Sequence, residues 1–156
     1  MKRWFLVFFV LLMAATAFGG DLRVTIRADW MFTLRAGIEY RFGRYFGIQT
    51  DIGTNTQLLA ADLCGVFYAM EPESPWQFNL LLGIPNAAMP LSFDAGFISV
   101  GGSIGAGYRF ENDFGLDFRV GEGFPFFFEE GKDMIRDINF PFDLWPDVAF
   151  GVSFPL

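Results

Sequence analysis

An apolar side chain occupies every even position between residues 22 and 42. Most odd positions between them hold glycine or a polar or charged residue, including Arg27, Arg35 and Glu39. Successive side chains of a β-strand point to opposite faces, so this period of two predicts strands with one apolar and one polar face. The alternation returns several times before the C-terminus, which indicates an all-β chain built from amphipathic strands.

The segment before this ladder has the pattern of a secretory signal peptide. Lys2 and Arg3 precede an apolar run at residues 4–13, and small residues lead up to Gly19. We expect cleavage after Gly19, leaving one domain over residues 20–156. The alternative is an uncleaved inner-membrane anchor, but the run is short for a spanning helix of about 20 residues. Lipidation would need a cysteine at the cleavage point, and the single cysteine is Cys64.

Composition excludes several classes of protein. No apolar run after the leader approaches the roughly 18 residues of a membrane helix, and one cysteine cannot form an internal disulfide. The formal net charge is −7, and a chain without a basic stripe or a Gly-rich phosphate loop is a poor nucleic-acid binder. We therefore expect no nucleic-acid partner, no metal site and no cofactor.

Turn signals divide the chain into eight predicted strands. They cover about residues 22–29, 33–42, 46–53, 57–69, 76–84, 98–110, 116–121 and 147–156. One long strand over residues 22–42 is an alternative to the first two. The segment Pro85–Asp94 is predicted to be a loop, and Pro125–Pro146 a long connection. The resulting fold class is an antiparallel up-and-down β-barrel of eight strands.

Two observations favour a transmembrane barrel over a soluble lipocalin-like barrel, which would have its apolar face inside. The polar face carries mostly glycine, serine and single charges of both signs, which suit a narrow lumen. Aromatic residues gather at three short turns, and a shared rim would make them a girdle at a membrane interface. They are Tyr40, Phe42, Tyr45 and Phe46; Phe67, Tyr68, Trp76 and Phe78; and Tyr108, Phe110 and Phe114.

In its architecture the chain resembles the small outer-membrane barrels of the OmpX and OmpW kind. The shared features are a leader, an even strand count, short turns on one rim, longer loops on the other and an apolar last strand. The resemblance covers nearly the whole mature chain. It implies a location in the bacterial outer membrane, contact with outer-membrane lipid and recognition by the barrel assembly machinery. Such barrels commonly end on an aromatic residue, whereas this chain ends Phe154-Pro155-Leu156.

The charged residues predicted to face the lumen are the first candidate site. A charged constriction for a small solute is one interpretation, and a salt-bridged plug is the other, because unpaired charges in a dry lumen are costly. The lumen charges are Arg23, Arg27, Arg35, Glu39, Arg41, Asp51, Asp62, Arg109, Asp117, Arg119 and Asp147.

The second candidate site is an apolar mouth formed by the two longer loops. As OmpW-like barrels are thought to do, such a mouth would bind a small hydrophobic ligand; packing of aromatic rings at the outer rim is the alternative. The nearby carboxylates match no calcium loop. The mouth residues are Met89, Leu91, Phe93, Phe126, Phe127 and Phe128.

An enzyme is not expected, because a chain without histidine cannot build Ser-His or Asp-His machinery. We predict an outer-membrane barrel that passes or binds a small solute, with a hydrophobic solute among the candidates. The alternatives are a closed structural or surface-interaction barrel and a soluble periplasmic ligand binder.

Overall fold

The structure, a computed structural model, describes residues 20–31, 33–92, 95–129, 132–135 and 144–156. The predicted signal peptide at residues 1–19 lies outside this part of the chain, as does Phe93. The described ranges form nine β-strands and no helix. The strands are β1 (Asp21–Asp29), β2 (Leu34–Phe42), β3 (Phe46–Thr54), β4 (Leu58–Tyr68), β5 (Trp76–Pro90), β6 (Ala95–Arg109), β7 (Gly115–Glu129), β8 (Lys132–Ile135) and β9 (Trp145–Pro155).

Eight of these strands close into an antiparallel barrel. Strands β1 to β7 pair with their sequence neighbours, β9 pairs with β7, and β9 also pairs with β1, which closes the ring. Within the described residues, the short strand β8 pairs with the far end of β7 and is not part of the closed ring. The fold-class prediction is confirmed, and residues 22–42 form two strands rather than one.

No helix long and apolar enough to cross a membrane occurs in the described part of the chain.

The register of the strands gives a narrow barrel whose strands are tilted from the barrel axis. Pairing partners traced from Asp117 around the ring return to β7 at Phe127, ten residues farther along. With this offset, eight strands tilt by about 40° from the barrel axis, at about 3.3 Å per residue and about 4.8 Å between strands. The interior of such a barrel is just wide enough for side chains to fill it.

The two faces of the barrel wall differ sharply in chemistry. The outer face exposes large apolar side chains, such as Leu34 and Ile104, which are 63% and 64% exposed. The inner face buries polar groups, such as Thr25 and Arg35, which are 0% and 1% exposed. This distribution is the reverse of a water-soluble protein's.

The three short turns predicted to share a rim do so, and we call this end the aromatic rim. It carries the turns at residues 43–45, 69–75 and 110–114, together with Gly20 and Leu156. Aromatic rings contact one another around much of its circumference, at centroid distances from 5.0 to 6.2 Å. One unbroken series runs from β5 to β9 through Trp76, Tyr108, Phe110, Phe114 and Phe154.

Two predicted loops are wrong in part, because strands continue through them. Strand β5 runs to Pro90, and the register shift between Gly83 and Asn86 accommodates the buried Pro85 in the wall. Strand β7 runs to Glu129, with Pro125 opposite Ser99 of β6. Strands β5, β6 and β7 therefore extend beyond the far ends of β1, β2 and β3 at the end opposite the aromatic rim, which we call the far rim.

Closure of so narrow a ring brings strand backbones close together at inward-facing glycines. A Cβ atom at Gly101 would lie 2.1 Å from the carbonyl oxygen of Glu122 and 2.4 Å from the Cα of Gly123. At the outward-facing Gly65, the nearest atom to such a Cβ would be 3.7 Å away. Glycine at position 101 is thus required by the approach of β6 and β7.

Candidate functional site in the barrel lumen

The structure places all the predicted lumen charges on the inner face of the barrel. Arg23, Arg27, Arg35, Arg41, Asp51, Asp62, Arg119 and Asp147 are buried, and Glu39, Arg109 and Asp117 are half-buried. They separate into a central network and a layer at the aromatic rim, because they lie at different distances from that rim along their strands.

Arg27 organises one half of the central network. Its Nη1 donates to Oδ2 of Asp51 at 2.9 Å, and its Nε donates to Oδ1 of Asp117 at 2.8 Å. A longer contact of 3.5 Å joins its Nη2 to Oε2 of Glu39. Asp51 also accepts the hydroxyl of Thr25 at 2.5 Å. The guanidinium thus connects three strands besides its own.

Asp62 organises the other half. Its Oδ2 lies 2.9 Å from Nη2 of Arg119 and 3.5 Å from Nη1 of Arg35. Arg119 also contacts Asp147 through Nε at 3.1 Å, and Arg35 forms an ion pair with Asp29. The backbone N–H of Asp51 donates to Oδ1 of Asp62 at 2.8 Å, which joins the two halves.

The network can act as a plug across the lumen. Its charges lie in the middle of a barrel that side chains fill, and each of the carboxylates contacts at least one guanidinium. Pairing and hydrogen bonding offset the desolvation that would otherwise cost several kcal/mol per buried ion. Moving one of these side chains out of the way leaves its partner uncompensated.

Several arginines of the lumen lie directly opposite a glycine of a neighbouring strand. The register pairs are Arg27 with Gly151, Arg35 with Gly53, Arg41 with Gly47, Arg119 with Gly105 and Arg109 with Gly115. At two of these glycines the arginine stem occupies the vacant side-chain space. A Cβ at Gly151 would lie 2.5 Å from Cγ of Arg27, and one at Gly53 would lie 2.7 Å from Cγ of Arg35.

At the aromatic rim, three arginines bind carbonyl groups of the turns. Arg41 donates to the carbonyl of Met70 at 2.5 Å, and Arg109 donates to that of Pro72 at 2.9 Å. Arg23 donates to the carbonyl of Asp113. These bonds hold the turns over the lumen.

A polar cavity of about 40 Å³ lies between this arginine layer and the central network. Glu39, Tyr68, Asn79 and Asp117 contribute to its lining. The hydroxyl of Tyr68 donates to Oε1 of Glu39 at 2.8 Å. A cavity of this size holds a few water molecules, since one water needs about 10–15 Å³.

Near the far rim the lumen is filled by apolar side chains, which we call the apolar cap. Ala60, Ala88 and Phe97 are buried there, with Trp30, Met31 and Phe127 packed against them. The rings of Phe97 and Phe127 lie 5.8 Å apart. The cap lies between the far rim and the pair Arg35 and Asn86.

The four predicted mouth residues whose side chains the structure describes do not all gather at one surface. Phe127 faces inward in the cap, whereas Phe126 faces outward and is exposed, because they are consecutive residues of an extended strand. Met89 is half-buried on β5, and Leu91 is exposed just beyond that strand. The side chain of Phe128 and the whole of Phe93 lie outside the described residues.

Sequence reasoning missed several members of the network. Asp29 shares the inward parity of Arg27 and Arg35, so the alternation itself was sufficient to find it. Asn86 accepts from Arg35 at 2.6 Å, but it lies in a segment predicted to be a loop. Ser103 donates to Asp147, and a serine among glycines carries no comparable signal.

Within the described ranges, no group of three or more cysteine, aspartate or glutamate side chains is arranged to hold a metal ion.

Comparison with known proteins gives a structural neighbour only. Neither protein-family profiles nor curated protein sequences give a match. Among solved structures, the chain is similar to the de novo designed transmembrane β-barrel TMB2.3, determined by solution NMR. The TM-score is 0.55 at 15% sequence identity, over 88% of this chain and 94% of the designed one. At this identity the likeness shows the fold alone.

Proposed function

We propose that the chain spans the bacterial outer membrane as a closed β-barrel and acts in structure or surface interaction rather than in solute passage. Its apolar outer face and its aromatic rim support the membrane location, because a bilayer is the solvent that such a face requires. The signal-peptide pattern supports export. A soluble ligand binder would need the opposite distribution of polar and apolar side chains.

The observation that carries the closed-barrel proposal is the buried ion network. Arg27, Arg35 and Arg119 reach across the lumen to carboxylates of other strands, and each guanidinium-bearing residue is at most 3% exposed. A hydrated ion would have to break several of these pairs in order to pass. The apolar cap closes the far rim above them, so its space is filled by the protein's own side chains instead of a hydrophobic ligand.

The proposal extends to partners and to chemistry. Outer-membrane lipid covers the apolar face, and the barrel assembly machinery inserts the chain. We assign the chain no catalytic activity, since it has no histidine and the lumen carboxylates are engaged with arginines.

The test combines insertion with conductance. The protein is refolded into vesicles and run on an SDS gel with and without boiling, where a mobility shift identifies a folded barrel. Folded protein is then reconstituted into a planar bilayer. We expect no conductance steps from the wild type. The Arg27→Ala/Arg119→Ala variant, if it still shows the mobility shift, then tests whether disrupting the ion network lets ions pass.

Two results would contradict the proposal. Wild-type conductance steps that change size on Arg119→Ala alone would indicate a pore with a charged constriction. Absence of a mobility shift, with recovery of the protein in buffer without detergent, would indicate a soluble binder.

A further inference from the structure

The barrel wall is not uniform in height, and β4 and β9, with eleven residues each, are intermediate in length. Strands β1, β2 and β3 have nine residues each, whereas β5, β6 and β7 have fifteen each. At the tilt of this barrel each residue rises about 2.5 Å along the axis. The longer strands therefore carry an extra segment of about 15 Å, by the same rise. We call this segment the projecting wall.

A single carboxylate interrupts the apolar outer face at the foot of the projecting wall. Glu122 is exposed on β7, between the outward-facing Val120 and Phe124. Its register partners are Gly102 and Pro146. Among outward-facing positions of the eight barrel strands, within the described residues, it is the one charged side chain, and it forms no ion pair there.

The height of this carboxylate matches the end of the short strands. Glu122 lies seven residues beyond Gly115, where β7 leaves the aromatic rim. Strands β1 and β2 reach their far ends, at Asp29 and Leu34, eight residues from that rim. Glu122 is thus level with the far ends of β1 and β2, which lie beyond β9 in the ring.

Two placements in a bilayer have different costs. If lipid covered the whole height of β7, the carboxylate of Glu122 would lie in hydrocarbon without a described partner, which is unfavourable. If the hydrocarbon ends at Glu122, the carboxylate meets headgroups and water. Phe124 and Phe126 then lie at the membrane interface, where membrane barrels carry girdles of aromatic residues.

We propose that the lipid-contacting belt ends at Glu122 and that the protein consequently prefers a thin bilayer. The belt from Phe114 to Glu122 spans eight residues, or about 20 Å, compared with about 25 Å for a typical membrane barrel. The proposal rests on the membrane-spanning function proposed above. It adds the thickness of the partner bilayer and the residue that sets it.

The test is refolding into phosphatidylcholine vesicles of increasing acyl-chain length, with the folded fraction read from the gel shift. The wild type should fold best in the thinnest bilayers. Glu122→Leu should raise the folded fraction in long-chain vesicles about threefold or more, since mismatch costs fractions of a kcal/mol per Å. Glu111→Leu, at an exposed turn of the aromatic rim, is the matched control and should behave as the wild type.

A second measurement reports depth directly. An environment-sensitive fluorophore on Glu122→Cys, in a Cys64→Ala background, should emit as in the headgroup region. Emission typical of hydrocarbon, or the same chain-length profile for wild type and Glu122→Leu, would overturn the proposal. Failure of the wild type to show a gel shift in any vesicle would instead contradict the membrane-spanning function itself.

Discussion

Removal of Arg27 is the sharpest perturbation of the central network. Its guanidinium makes two contacts below 3 Å, to Asp51 and Asp117, and a longer one to Glu39. Arg27→Met keeps most of the side-chain volume and deletes the charge. Asp51 is then left 2% exposed without its guanidinium, although Thr25 still donates to it.

The expected magnitude follows from these contacts. Removing one partner of a buried ion pair costs about 3–5 kcal/mol, because the other charge stays buried without compensation. Asp117 lowers the total somewhat, since its side chain is 23% exposed and can be hydrated. We expect Arg27→Met to lower the free energy of unfolding by about 3–4 kcal/mol, within that range.

The assay is equilibrium unfolding by urea in detergent micelles, followed by tryptophan fluorescence. Arg44→Met is the matched control, because the Arg44–Glu71 pair is 55% and 58% exposed and such a pair contributes about 0–1 kcal/mol. Adding Asp51→Asn to Arg27→Met should restore part of the loss, since it removes the uncompensated charge. The reasoning is refuted if Arg27→Met costs no more than Arg44→Met, or if Asp51→Asn makes it worse.

Two further predictions concern the barrel wall. Gly101→Ala should destabilise the protein by about 1–3 kcal/mol, because its Cβ would meet backbone atoms of β7, whereas Gly65→Ala should change the same urea midpoint little. Phe118→Arg, in the middle of the outer belt, should lower stability in vesicles by about 2–4 kcal/mol; Phe118→Leu is the control, and equal stability of the two variants would argue against lipid contact at that position.

The alternation of side chains predicted most of the fold, because one physical requirement governs every strand of a barrel. Each strand must present an apolar outer face and a polar inner face, so the period of two is visible from β1 to β9. Prolines indicated loops in the sequence, but a strand can contain proline at a bulge or at its end, where no N–H is needed for pairing. Pro85 lies within a register shift of β5, and Pro90 is the last residue of that strand.

The candidate site was partly predictable for the same reason. Parity places Arg27 and Asp51 in the lumen, but it does not reveal which charges meet. That depends on the offset of ten residues around the ring, which brings Asp62 of β4 to Arg119 of β7. For the apolar mouth, a loop was assumed at residues 125–129, where an extended strand instead puts Phe126 and Phe127 on opposite faces of the wall.

The pairing of lumen arginines with glycines affects the register in which β9 pairs with β1 when the barrel closes. A register shift of one residue between β9 and β1 would turn charged side chains outward, which is unfavourable in a bilayer. A register shift of two residues keeps every side chain on its proper face, so burial of apolar side chains does not distinguish it from the native register. In that slipped ring Arg27 would face Ala149 or Ser153 instead of Gly151, and its stem would collide with a side chain. Gly151 therefore favours the native register between β1 and β9, in which Arg23 and Ser153 meet across 130 residues of sequence.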